Sequence, residues 1–162
     1  MLWTSKQARD RPLELAWRYM VSADVRRVLA IPSGFRWSEK EFRLWMQRRT
    51  ALVVERNREV VGFIVFDHTE TEFRIHNLAV DPGHRRAGAG RLLVKELITG
   101  LGNSRRDRIV TDVRETNSGA LLFYKALGFK ALGVQRGLYP DTDEDGITME
   151  YRLPRETTDG ET

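Results

Sequence analysis

The stretch Leu78-Ala79-Val80-Asp81-Pro82-Gly83-His84-Arg85-Arg86-Ala87-Gly88-Ala89-Gly90-Arg91 decides the fold. An apolar strand runs into a basic, glycine-containing loop and from there directly into an amphipathic helix. The opening amides of a helix have no partner within it and stand at the positive end of its dipole, so such a junction suits a phosphate. Gly88 and Gly90 let the backbone approach a ligand, and Arg85, Arg86 and Arg91 add fixed positive charge. A diphosphate is the expected guest.

Three phosphate-binding loops compete for these residues. A P-loop needs a lysine and a hydroxyl after its last glycine, where Arg91 and Leu92 stand. A dinucleotide loop fits better, because Gly88-x-Gly90 opens a helix and Asp107 and Asp112 follow about 20 residues on. Its third glycine, however, is replaced by Leu93, and a long basic segment separates strand from glycines. What remains, Arg85-x-x-Gly88-x-Gly90 after Val80-x-Pro82, resembles the acetyl-coenzyme A signature of the GNAT N-acetyltransferase superfamily. Taken alone, the segment also reads as an arginine-rich surface loop closed by glycines.

Around this loop, strands and helices alternate without internal repeat. Leu13 to Met20 reads as a strand, and Ser22 as the N-cap of a short helix that carries Val25, Val28, Leu29 and Ile31 to Pro32. Ser38-Glu39-Lys40-Glu41 is a capping box ahead of Phe42, Trp45 and Met46. Ala51-Leu52-Val53-Val54 and Val60 to Phe66 form a hairpin with Asn57 in its turn. Glu72 to Val80 is the next strand, and its two-residue period slips near His76-Asn77, which predicts a bulge. Leu92, Leu93, Leu97, Ile98 and Leu101 give the following helix a core stripe that ends at Gly100, Gly102 and Asn103. Arg108 to Val113 is then a strand set parallel to the previous one by a right-handed crossover. A helix from Thr116-Asn117 closes at Gly128, and strands near 131–135 and 146–153 complete the sheet. The expected fold is an α/β sandwich with a central mixed, twisted sheet of about 6–7 strands and helices on both faces.

Composition narrows the function classes. With 162 residues, 41% hydrophobic, the chain suits one domain, expected over 1–153, with a short polar tail at 154–162. It has no cysteine, so disulfides, thiolate metal sites and a cysteine nucleophile are excluded. His68, His76 and His84 lack helical ligand spacing, so no metal is expected. The polar start and the lack of a long apolar run point to a cytoplasmic enzyme away from membranes. The net charge of +4 comes from 27 basic residues interspersed with 23 acidic ones, an ordinary solvated surface. No aromatics line a basic strand face, so direct nucleic-acid binding is not expected.

The second half carries a more specific likeness. "VRETNSGALLFYKALGF", "GLYPDTDEDGITMEYRL" and, near the front, "FRWSEKEF" resemble bacterial ribosomal-protein-alanine N-acetyltransferases over about 24–153. The resemblance implies acetyl transfer from acetyl-CoA to the α-amino group of a protein N-terminus, with a ribosomal protein alanine as acceptor. Lysine side chains or small amines are the sibling reading, and a non-catalytic ribosome-binding or RNA-binding module is the remote one. It further implies that Asp112 stands where the family has its glutamate base, and that Tyr124 is the acid. The aspartate is one methylene shorter, which pulls the carboxylate back by about 1.5 Å. Leu78, Ala79 and Val80 are implied to pair with the pantetheine arm, and Arg85, Arg86, Ala87, Gly88, Ala89, Gly90 and Arg91 to hold the diphosphate. Asn117 is implied to bind the arm further along, and Tyr139 to line the substrate loop, although Leu138 replaces a common aromatic.

Overall fold

Seven strands and four α-helices alternate along residues 14–155, the part of the chain described by the computed structural model. The expected start of the first strand at Leu13 and most of the expected tail lie outside the described residues. Strand order across the sheet is β1-β2-β3-β4-β5-β7-β6, and its mixture of parallel and antiparallel neighbours matches the expected architecture. The described residues fall into two compact units, one of those up to Phe63 with Ala79–Leu93, the other of Ile64–Leu78 with those from Val94 onward.

In the first unit, β1 (Leu15–Tyr19) lies antiparallel to β2 (Ala51–Arg56), which turns through Asn57 and Arg58 into β3 (Glu59–His68). Both turn residues have positive φ, 53° and 67°, the type I′ geometry whose twist matches that of the strands it joins. The short helix differs from expectation at its start. Ser22 does not cap it. Instead a single 3₁₀ turn, Ser22–Asp24, leads into α1 (Val25–Leu29), and Asp24 Oδ2 reaches back to accept the Val21 N–H at 2.8 Å. Arg18 grips the buried Asp24 carboxylate through both guanidinium ends, at 2.7 and 2.8 Å, so the aspartate is occupied and the serine is left to solvent. The α2 helix (Glu39–Gln47) opens on the expected box: the Ser38 hydroxyl accepts from the Glu41 amide and the Glu41 carboxylate from the Ser38 amide. A chain of rings, Phe35, Trp37, Trp45, Phe42 and Phe63, runs from the loop before α2 into the core at centroid spacings of 4.9–5.6 Å.

In the second unit, Thr69 and Glu72 close the turn from β3 into β4 (Glu72–Val80) with a 2.9 Å backbone bond. Along β4 the buried positions are Phe73, Ile75, Asn77 and Ala79, an unbroken alternation. The slip predicted near His76-Asn77 is therefore absent. Asn77 takes a buried place that an apolar residue was expected to hold, and the half-buried Leu78 and Val80 lie on the other face. After α3 (Ala89–Gly102) the chain enters β5 (Arg108–Arg114), parallel to β4 from Glu72↔Arg108 to Ile75↔Thr111, while β4 itself continues to Val80. The α4 helix (Ser118–Ala126) is capped by Asn117 and closed by Gly128 at φ 94°. Then β7 (Glu144–Arg152) pairs antiparallel with β5 on one side and with β6 (Lys130–Tyr139) on the other.

At Gly62, β3 lies close against the backbone of β4. A Cβ there would stand 2.9 Å from the Ala79 carbonyl oxygen, which belongs to the backbone and cannot swing away. Gly62→Ala is expected to destabilise the fold by about 1–3 kcal/mol in urea titration, with an unchanged dependence on denaturant.

Candidate active site

The glycine loop is anchored at both ends. Asp81 accepts the Gly83 N–H at 3.0 Å, a 3₁₀ turn follows over Pro82–His84, and the Arg85 Nε donates to the Val80 carbonyl at 3.2 Å. Arg86 and Gly88 then take positive φ, 62° and 89°. A Cβ on Gly88 would meet only ordinary contact with Leu15 at 3.8 Å, so the dihedral, not crowding, requires glycine there. The first helical bond of α3 runs from the Leu92 N–H to the Gly88 carbonyl at 2.9 Å, which leaves the amides of Ala89, Gly90 and Arg91 ahead of it. Arg85, Arg86, Ala87, Gly88 and Arg91 are exposed around this turn. Opening amides, a left-handed kink and three arginines together fit a diphosphate.

In the second unit, consecutive residues of β5 serve opposite faces. Thr111 is buried, whereas the Asp112 side chain is 22% exposed. Tyr124 stands on the Thr111 side of the strand, and the Thr111 hydroxyl donates to the Ile75 carbonyl at 3.4 Å. Tyr124 packs between Phe123 and Phe129 at centroid distances of 5.1 and 5.0 Å. Burial raises its phenol far above the ordinary tyrosine range, against a smaller opposing effect of the nearby Thr111 hydroxyl. Tyr124 therefore keeps its proton at neutral pH. Asp112 and Tyr124 thus reach different faces of one strand.

Asp112 is held from two neighbouring strands. Its Oδ1 accepts the Thr148 hydroxyl proton at 2.7 Å, and its Oδ2 accepts from Arg74 at 3.3 Å. Thr148 is the direct cross-strand partner of Asp112 on β7, which explains the short contact. The Tyr139 hydroxyl donates to the Asp112 backbone carbonyl at 3.2 Å, so the structure brings these two sequence candidates together. Arg114, two residues along β5, pairs with Asp141 and stacks over the Tyr139 ring at 4.1 Å. Burial raises the Tyr139 phenol, and the nearby Asp112 raises it further. The Asn117 side-chain oxygen accepts the Ala120 amide at 3.1 Å, leaving its NH₂ as the donor. Arg74, Thr111 and Thr148 were not among the sequence candidates. Each acts through a neighbouring strand, and only the register of the sheet reveals such pairs.

Residues 15–129 match the acetyltransferase (GNAT) family. The chain belongs to this family. The [ribosomal protein bS18]-alanine N-acetyltransferase of Escherichia coli (strain K12) is 34% identical over 119 residues, 72% of this chain and 80% of that protein. The N-alpha-acetyltransferase RimI of Mycobacterium tuberculosis is 35% identical over 78 residues, 48% of each chain. The crystal structure of the ribosomal-protein-S18-alanine N-acetyltransferase from Escherichia coli superposes with a TM-score of 0.78 at 26% identity, covering 92% of this acetyltransferase and all of that chain.

A pH consequence follows from Tyr124. Its folded-state pKa lies above the unfolded value of about 10, so its contribution to stability is complete below that pH and is lost as the pH rises beyond it. In an ultraviolet titration, Tyr124 is expected to ionise only well above the pH at which a solvated tyrosine does, and Tyr124→Phe to delete that late step.

Proposed function

We propose that this acetyltransferase moves the acetyl group of acetyl-CoA onto the α-amino group of a protein N-terminus, with a ribosomal protein alanine as acceptor. Supporting the acceptor is the 34% identity, over 72% of the chain, to an enzyme named for that substrate. Supporting the chemistry is one observation above the rest. A partly exposed carboxylate and a buried, protonated phenol stand beside β5 just where its ladder with β4 ends.

An α-amino group has a pKa of about 7.7–8.0, so much of it carries a proton that must leave before nitrogen can attack. Asp112 takes that proton, directly or through a water. Its oxygens already accept from Thr148 and Arg74, yet a carboxylate has about four lone-pair sites and keeps room for one more donor. Thr148 and Arg74 fix the direction in which the shorter side chain presents its oxygens. Acetyl-CoA supplies the activated thioester: the N–C bond forms as the C–S bond breaks. Tyr124 donates its proton to the departing sulfur.

The remaining assignments concern binding. Leu78, Ala79 and Val80 offer main-chain groups to the pantetheine arm, and the Asn117 NH₂ meets it further along. Arg85, Arg86, Arg91 and the amides from Ala87 to Gly90 hold the diphosphate. Tyr139 lines the acceptor side. In this reading residues 1–153 act as one catalytic domain of a cytoplasmic enzyme, and no described helix is long and apolar enough to cross a membrane.

The test offers acetyl-CoA and peptides with free or blocked N-termini, and follows thiol release and peptide mass. Acetylation confined to a free α-amine beginning with alanine or serine is expected. Transfer to lysine side chains in blocked peptides, or to no peptide at all, overturns the acceptor assignment. Asp112→Asn should lower kcat by at least about 100-fold while the acetyl-CoA Kd stays constant.

A further inference from the structure

We propose that Arg27 is a positioning residue for acetyl-CoA: from α1 it fixes Asp81, the hinge of the glycine loop, and thereby sets cofactor affinity without touching the cofactor. This rests on the binding role proposed above for the loop. The Arg27 Nη2 donates to Asp81 Oδ2 at 2.8 Å, and its Nε donates to the Val60 carbonyl at 3.0 Å. One guanidinium therefore spans the last residue before the loop and the adjacent strand β3. A lysine ammonium lacks the fixed fork that serves two acceptors at once.

Asp81 is engaged at every polar group. Its amide donates to the Val61 carbonyl at 2.7 Å, and its own carbonyl accepts from His84 at 2.9 Å. Its Oδ1 accepts the Gly83 amide at 3.0 Å, while Oδ2 faces Arg27. The strand side and the loop side of the hinge thus meet in one carboxylate. The charge and hydrogen bond of Arg27 hold that carboxyl below the usual range, with help from Gly83. Without Arg27, Oδ2 loses its partner, and the carboxylate can rotate away from Gly83 and release the turn that aims Arg85, Arg86 and Gly88. Small displacements of a binding loop are costly, because the ligand contacts depend on its geometry.

Calorimetric titration of the full-length protein with acetyl-CoA tests the assignment. Arg27→Ala and the nearly isosteric Asp81→Asn should each weaken binding about tenfold. The double variant should be no weaker than either single one, as expected for one shared interaction. Saturating acetyl-CoA should restore kcat to within about twofold of the parent enzyme, so the loss falls on KM. Arg26→Ala removes the same charge one residue away, from an exposed position, and should leave binding unchanged. An unaltered Kd in Arg27→Ala, an equal loss in Arg26→Ala, or additive losses in the double variant overturns the positioning role while leaving the proposed function intact. Failure of the parent protein itself to bind acetyl-CoA overturns the proposed function, and this inference with it.

Discussion

Strand β5 is bound on both sides, parallel to β4 over four residue pairs and antiparallel to β7 over its whole length. The asymmetry of these two ladders is the constraint on which the second unit depends. On the β7 side every residue from Arg108 to Arg114 has a partner, which fixes the orientation of Asp112 and sets Thr148 beside it. On the β4 side the ladder ends at Ile75↔Thr111, while β4 runs on to Val80. One edge of the strand is thus paired throughout and the other only over its first four residues. Because side chains alternate along a strand, the same backbone sends Thr111 toward Tyr124 and Asp112 toward Arg74.

The electrostatics of the two faces differ accordingly. Tyr124 sits among Thr111, Phe123 and Phe129, where burial favours the neutral phenol. Asp112 stands in partial contact with solvent between a hydroxyl and a guanidinium. Tyr139 and Arg114 extend this polar face toward the β6–β7 turn, where Arg114 binds Asp141 and Thr142. One strand thus has an apolar environment on its Thr111 side and a partly hydrated, polar one on its Asp112 side.

Much of this was legible in the sequence wherever the signal was local. The Ser38 capping box, the Asn57 turn, the Asn117 cap, the Gly128 terminus and the bounds of β4 are written in neighbouring residues. Readings failed where a distant group intervened. Ser22 has the chemistry of a cap, but Asp24 was prepared for that task by Arg18, a residue on β1. The period of β4 looked broken because Asn77, a polar residue, occupies a buried place. Arg27, Arg74 and Thr148 left no motif, since each acts on a residue that only the folded register brings near. Motifs record what a loop does to its own backbone, and they are silent about which neighbour holds it in place.

The Thr148 contact has a consequence for how this site varies. With the Thr148 hydroxyl at 2.7 Å from Oδ1 and Arg74 at 3.3 Å from Oδ2, both bonds are made at the length of an aspartate. A glutamate there carries its carboxylate one methylene farther from the strand, so the same two bonds would have to be made again at a new distance. Positions 74, 112 and 148 accordingly form a single unit of exchange, in which length at one must be matched by room and polarity at the other two. A chain that lengthens the carboxylate gains nothing until the strands on either side have given up their grip on it.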